Sequence, residues 1–200
     1  MGEPLNVNGL PIATEWERAD VIRFCHDWQG KHQDPRRQTE VRILWSVSEI
    51  YLRFLCRYRT IHVFPDADPN GRRDGLWDRD VAEVFLQPDR FGEKYYREFE
   101  VGPNGQWLDL NITPQGLQHI TSGMRSSVGL DEPRQVWNAE IAIPMTALTP
   151  RFDPMHPWRL NFFRCEGIDP NRFYSAWQPT GTATPNFHVP ESFGTLRFVS

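Results

Sequence analysis

Apolar and polar residues alternate one by one along much of this chain, and this period limits its fold more than any other feature of the sequence. Residues 41–47 and 50–58 show the alternation, and so do residues 94–101 and 106–112. Successive side chains of a β-strand point to opposite faces, so each run is a predicted strand with one buried face. The short breaks between the runs, including a turn at 102–105, predict two antiparallel hairpins.

Further segments have the composition of strands, and they are residues 20–24, 81–86, 123–130, 135–143, 158–165 and 195–199. One helical turn is expected at 144–148, where a proline can start it. Many short strands favour an all-β antiparallel sandwich of the jelly-roll or immunoglobulin-like kind, with minimal helix. The sequence shows neither linker nor repeat, so one domain over residues 1–200 is expected.

The charge and hydropathy of the chain disfavour two kinds of partner. A net charge of −4 disfavours nucleic acid and anionic lipid, because both bind basic surfaces. The sequence has no apolar run of the length of a transmembrane helix, and residues 1–9 lack the apolar core of a signal peptide. We therefore expect no membrane span, and a protein that is either cytoplasmic or already trimmed of an export signal.

Three charged residues, Glu83, Arg97 and Arg164, fall on predicted strand faces that are otherwise apolar. A buried charge is costly unless it is paired or turned to a polar ligand. Two interpretations stay open: an Arg–Glu pair at the rim of the sandwich, or a cleft in which Glu83 and Arg97 hydrogen-bond the hydroxyl groups of a ligand. The sequence contains no catalytic signature such as GxSxG or HExxH.

Two tryptophans are expected in loops. Trp77 lies in a long connection, residues 59–80, and Trp177 lies in another, residues 167–194. Long loops in compact domains are usually functional or disordered, and the aromatic residues in these two disfavour disorder. An indole in such a loop can offer its flat face to the C–H side of a sugar ring, while planar polar side chains bind the hydroxyls at the ring edge. Three other tryptophans fall within strand patterns and are expected in the core: Trp45, Trp137 and Trp158.

An acidic segment is the candidate for a metal site. Residues 65–71 hold two aspartates and an asparagine, and Asp74, Asp78 and Asp80 follow. Carboxylate and carbonyl oxygens are the ligands of Ca²⁺, although the spacing departs from the EF-hand pattern. A calcium ion held by Asp78 and Asp80 and a solvated acidic loop are both compatible with the sequence.

Several segments resemble, in the same order, those of family 9 carbohydrate-binding modules. The run at residues 77–86, Trp-Asp-Arg-Asp-Val-Ala-Glu-Val-Phe-Leu, is similar to the signature strand of that family. The other similar segments extend over most of the chain, and they are residues 96–99, 137–144, 158–164, 174–177 and 187–194.

The resemblance implies a β-sandwich related to the DOMON group that binds a sugar without catalysis. The ligand would be a mono- or oligosaccharide or the end of a polysaccharide chain. Trp77 and Trp177 would form the walls of a slot, with Glu83 and Arg97 on the hydroxyls and Arg164 as a further ligand-binding candidate. The resemblance also implies a structural calcium ion and a secreted or periplasmic location.

Other functions are compatible with the same residues. A glycoside hydrolase would use two carboxylates, here Glu83 with Glu98 or Asp80. A haem-binding domain, as in related sandwiches, would use His188 with Met155 or Met124 as iron ligands. A protein-interaction or purely structural sandwich is the third alternative.

Overall fold

The structure is a computed structural model, and it describes residues 9–65, 68, 70–88 and 94–199. Within these residues, twelve strands form two antiparallel sheets. The five-stranded sheet consists, in spatial order, of β1 (Ile22–Phe24), β2 (Thr39–Trp45), β3 (Glu49–Arg57), β9 (Val136–Pro144) and β8 (Arg125–Asp131).

The seven-stranded sheet carries the features that matter for function. In spatial order it consists of β11 (Phe173–Ala176), β10 (Trp158–Glu166), β4 (Val81–Gln87), β5 (Tyr96–Val101), β6 (Trp107–Thr113) and β7 (Gly116–His119). Its remaining strand, β12 (Gly194–Leu196), pairs with the start of β10, on the same edge as β11. The predicted all-β antiparallel sandwich is confirmed.

Helical structure is minor, as expected. The described residues contain α1 (Ala13–Arg18), α2 (Met145–Leu148) and three short 3-10 turns at Pro35–Arg37, Leu76–Asp78 and Pro190–Ser192. None of these helices is long and apolar enough to cross a membrane. The turn predicted after Pro144 is α2, whereas α1 was not predicted because Trp16 is its only buried side chain and leaves no periodic pattern.

The main core lies between the two sheets, where the buried faces of the alternating strands meet. Phe54 and Phe162 come from opposite sheets and contact each other edge to face, with ring centroids 5.8 Å apart. Trp137 and Trp158 are buried in the same cluster, which confirms their predicted core position. Trp45 is half-buried and packs at the edge of this cluster.

A second core covers the outer face of the seven-stranded sheet. All seven residues of β4 are buried, so this strand has neighbours on both faces. Phe85 of β4 and Phe163 of β10 lie on the outer face of the sheet. The chain after β11 covers them with Phe187 and Phe193. The rings of Phe163 and Phe187 stack with centroids 4.3 Å apart. Because both faces of this sheet are apolar, the returning segment forms a third, irregular layer on it.

Candidate ligand-binding site

The third layer leaves a gap over the outer face of the seven-stranded sheet, and this gap is a cavity of about 270 Å³. Its volume is close to the lower end of small-molecule sites, about 300–1,000 Å³. Side chains from both long connections and from the sheet itself line it, among them Trp77, Glu83, Glu98, Arg172, Tyr174 and His188.

One wall of the cavity is the indole of Trp77, which is 39% exposed. The 3-10 turn Leu76–Asp78 positions it, because Leu76 is buried in the second core and the next side chain must then point outward. Gly75 starts this turn with a φ of 69°, a left-handed conformation that favours glycine. The buried Leu76 and the left-handed Gly75 therefore place the exposed indole of Trp77 at the rim of the cavity.

A second wall of the cavity consists of aromatic side chains from the third layer and from β11. Tyr174 and Phe187 are adjacent, with ring centroids 6.2 Å apart. Next to them, His188 lies over Phe85, with centroids 5.3 Å apart, and its Nδ1 is 2.7 Å from the hydroxyl oxygen of Tyr96. This hydrogen bond and the ring contacts hold the wall in place.

The floor of the cavity is acidic. Glu83 on β4 is opposite Glu100 on β5, and Glu98 is one position further along the same face of β5, opposite Phe85. The three carboxylates are 2%, 3% and 0% exposed for Glu83, Glu98 and Glu100, and each offers an oxygen within 4.8 Å of the other two. Glu83 and Glu98 line the cavity, and Glu100 is fully buried next to them.

Burial makes these carboxyl groups hard to ionise. Desolvation raises the pKa of Glu98 to about 7. Desolvation and the charge of Glu98 raise the pKa of Glu83 well above its ordinary value. Two smaller effects oppose this shift: the Cys165 thiol donates a hydrogen bond to Glu83 at 3.6 Å, and Arg172 brings a positive charge. A site of this kind favours ligands with donors or positive charge.

The predicted slot between two tryptophans is not present. Trp177 follows β11 directly, and its backbone N–H donates to the carbonyl of Phe162 at 2.8 Å, so the strand pairing continues to this residue. Its side chain therefore points to the sandwich interior, where it packs with a centroid distance of 5.8 Å to the Phe162 ring. Trp77 lies on the other side of the same sheet.

Arg97 is also on the wrong face for the predicted cleft. It is opposite Leu86 in the β4–β5 register, and Leu86 faces the main core, whereas Glu83 faces outward. The guanidinium of Arg97 donates to the carbonyl of Ala147 at 3.3 Å and to the side chain of Asn111. It lines a different cavity, of about 350 Å³, so Arg97 and Glu83 do not share a ligand.

Arg164 lies inside the sandwich and is 1% exposed. It donates to a carboxylate oxygen of Glu166 at 2.8 Å and to the carbonyl of Arg57 at 2.5 Å, and it lies over the ring of Trp137. Arg164 therefore forms an Arg–Glu pair, but with Glu166 in the sandwich interior and not with Glu83 at the rim. Arg164 is placed to hold the two sheets together and does not line the cavity of Trp77.

The two predicted metal ligands have different positions. Asp80 is buried and accepts hydrogen bonds from the backbone N–H of Gly167 at 2.6 Å and of His62 at 3.3 Å, so it links the two long connections. Asp78 lines the cavity of Trp77. Of the acidic segment 65–71, residues 66, 67 and 69 lie outside the described residues.

The alternative haem ligands do not come together. His188 lies on the outer face of the seven-stranded sheet, while Met124 packs against the main core from the other sheet. Met155 is exposed on the loop before β10. The alternative hydrolase pair of Glu83 and Glu98, in contrast, does share the cavity.

The residues that sequence reasoning missed are Glu100, Arg172 and Tyr174. Glu100 and Glu98 alternate on β5, a signal that is present in the sequence. They could be assigned to the face of Glu83 only with the register of β4 and β5. Arg172 directly precedes β11 and Tyr174 lies within it, in a segment that the sequence predicted as loop.

No protein-family model matches this chain. A protein of Arthroderma benhamiae named "Extracellular protein" is 25% identical over 203 residues, and the match covers 90% of this chain and 86% of that protein. Among solved structures, a Bacteroides uniformis protein with a proposed role in carbohydrate binding matches with a TM-score of 0.73 and 20% identity. That match covers 91% of this chain and 87% of the other.

Structures of family 9 carbohydrate-binding modules from Caldicellulosiruptor kristjanssonii match as well. A complex with cellotriose has a TM-score of 0.68 and 13% identity, covering 98% of this chain and 89% of the module. A complex with glucose has a TM-score of 0.67 and 12% identity, covering 98% and 92%. The fold is that of a family 9 carbohydrate-binding module. The resemblance seen in the sequence is thereby confirmed at the level of the fold, and the family 9 fold extends over nearly the whole chain.

Proposed function

We propose that this chain binds a carbohydrate, without catalysis, in the cavity between Trp77 and the Tyr174–His188 wall. One observation carries the proposal: an exposed indole stands beside a cavity whose floor consists of hydrogen-bonding carboxyl groups. Sugars need this combination, because a pyranose has an apolar C–H face and polar hydroxyls at its edge.

Each part of the cavity has a role in this model. The face of Trp77 packs against the C–H side of one sugar ring. Glu83 and Glu98 accept hydrogen bonds from hydroxyls when ionised, and donate one when protonated. Arg172 donates at the rim, where its guanidinium lies over the Tyr174 ring, 5.0 Å from the ring centroid. The ligand is held from the sides and from below.

The related proteins support this proposal. Family 9 modules of the same fold are known in complex with cellotriose and with glucose. The relative from Arthroderma benhamiae is named as an extracellular protein. We therefore propose a glucose-containing oligosaccharide or chain end as the first ligand to test, and an extracellular location.

A titration with glucose, cellobiose and cellotriose tests the proposal, with tryptophan fluorescence and calorimetry as readouts. We expect Trp77→Ala to weaken binding at least tenfold, a loss of about 1.4 kcal/mol. Tyr95→Ala is the matched control, because Tyr95 is an exposed aromatic residue at the other cavity. Equal affinity in wild type and Trp77→Ala, or equal losses in the two variants, contradicts the proposed site.

Glycoside hydrolysis is a second candidate function, favoured by one observation. Glu83 and Glu98 share the cavity, and retaining glycosidases use two carboxyl groups that lie close together, about 5–5.5 Å apart. Both residues come from neighbouring strands on the same floor, rather than from the two sides of a bound glycosidic linkage. Reducing sugar released from cellotriose by the wild type and lost in Glu98→Gln would favour hydrolysis over binding alone.

A further inference from the structure

A buried tyrosine hydroxyl lies beside His188, at the edge of the cavity of Trp77. Tyr96 on β5 is 3% exposed, and its ring stacks on Phe85 with centroids 5.5 Å apart. Phe193 contacts the same ring edge to face, with centroids 5.3 Å apart. These contacts fix the position of the phenol oxygen. Among the described residues, its one hydrogen-bond partner is His188, whose Nδ1 lies 2.7 Å away.

The direction of this hydrogen bond follows from the burial of Tyr96. Desolvation and the negative charges of Glu98 and Glu191 raise the pKa of Tyr96, so the phenol keeps its proton. Desolvation lowers the pKa of His188, so its imidazole is neutral at pH 7 and carries one proton. A proton on Nδ1 would leave the buried phenol O–H without an acceptor among the described residues, which is costly. Tyr96 therefore donates to Nδ1, and the imidazole proton is on Nε2.

The second ring nitrogen of His188 is on the cavity side. His188 is exposed and lines the cavity, whereas Tyr96 is buried and does not line it. The two nitrogens of an imidazole point in nearly opposite directions, so Nε2 points away from the phenol that Nδ1 contacts. The ring lies over Phe85 with centroids 5.3 Å apart, and the backbone N–H of His188 donates to the Asn186 side chain at 3.0 Å. Within the described part of the chain, Nε2 donates to no protein group.

We infer that His188 is a specificity-determining residue of this cavity, whose Nε2–H donates a hydrogen bond to an oxygen atom of the bound sugar. The inference rests on the proposed function. Tyr96 is a positioning residue, because its hydroxyl selects the tautomer of His188 without lining the cavity. The two sides of the cavity then bind the sugar with opposite polarity. Ionised Glu83 and Glu98 accept hydrogen bonds from its hydroxyls, and His188 donates one to an oxygen lone pair.

Two substitutions at His188 separate the Nε2 donor from the contact with Tyr96. Glutamine reaches about as far as Nε2 and carries N–H donors there, whereas asparagine ends near the position of Nδ1, where its carbonyl can still accept from Tyr96. In calorimetric titrations of the full chain with cellotriose, His188→Gln stays within about twofold of wild type. His188→Asn binds about fivefold more weakly, the size of one lost hydrogen bond. His156→Asn, at an exposed histidine that does not line the cavity, is the matched control and leaves the affinity unchanged.

NMR of isotope-labelled imidazole nitrogens measures the tautomer of His188 directly, which a purely structural role would leave unaffected by sugar. Above the pH range in which histidine is protonated, we expect a proton on Nε2 and none on Nδ1 in the wild type. Addition of cellotriose shifts the Nε2–H signal. Tyr96→Phe keeps the aromatic ring and removes only the hydroxyl, so it shifts the Nδ1 signal even without sugar.

The titrations and the NMR signals distinguish this inference from the proposed function. Wild-type binding of cellotriose that His188→Asn retains in full, or that both His188 variants lose equally, overturns the donor role and leaves the sugar site intact. A proton found on Nδ1 of His188 in the wild type has the same consequence. An absence of cellotriose binding by the wild type contradicts the proposed function and this inference with it.

Discussion

Gly194→Ala tests the placement of Trp177 in the sandwich interior. A Cβ atom at Gly194 would lie 2.6 Å from two carbons of the Trp177 ring, Cη2 and Cζ3. Carbon atoms normally approach to about 3.5–4.0 Å, so the methyl group must displace the indole by about 1 Å. Overpacking of this kind costs about 1–3 kcal/mol. For a domain of this size, a loss of about 2 kcal/mol lowers the Tm by about 6 °C.

A double-mutant cycle identifies the cause of this loss. Trp177→Phe replaces the indole by a smaller ring and leaves room for the methyl group at residue 194. We expect Gly194→Ala to cost at least about 1 kcal/mol less in the Trp177→Phe background than in wild type, as measured by urea unfolding at constant pH. Cellotriose titrations of both single variants give the second readout, and affinity should stay within about twofold of wild type. A neutral Gly194→Ala combined with weaker sugar binding by Trp177→Phe would refute the interior position and restore Trp177 to the ligand slot.

Three further predictions follow from the structure. Arg97→Met leaves sugar affinity unchanged in calorimetric titrations, because its side chain lies on the opposite sheet face from Glu83; a clear loss would place it in the site. Phe162→Ala lowers the free energy of unfolding by about 3–5 kcal/mol in urea titrations, since it opens a cavity beside Phe54, and a loss below about 1 kcal/mol would contradict the packing. Glu140→Gln changes how stability depends on pH. Burial raises the pKa of Glu140 above its unfolded value of 4.5, so its stabilising contribution is complete below that pH and is lost as pH rises through the folded value. The stability of wild type relative to the variant should fall as the pH rises above 4.5, and a constant difference would refute this.

The alternation of apolar and polar residues was sufficient to predict the sandwich. The strands around Phe54, Trp137 and Phe162 have one face toward the core, and an apolar residue at every second position marks this face in the sequence. The short edge strand β7 was not predicted, because all four of its residues are exposed and no buried face marks it. β11 was missed for a related reason: it is four residues long and lies within a long connection.

The candidate site was only partly predictable. Trp77 was assigned correctly to an exposed turn, because flanking glycine and aspartate mark it in the sequence. Whether Arg97, Glu98 or Glu100 shares a face with Glu83 depends on the register between β4 and β5, which local sequence does not specify. Trp177 was placed in a loop because the pairing of β11 with β10, which turns its ring inward, joins residues far apart in the chain.

The irregular layer over the seven-stranded sheet separates the part of the chain that determines folding from the part that shapes recognition. Residues 177–193 contribute no strand to either sheet, although they form one side of the cavity. Substitutions and length changes there can alter ligand preference while every backbone ladder stays intact. Proteins that descend from one such sandwich can therefore change their ligand specificity through substitutions in this one surface segment.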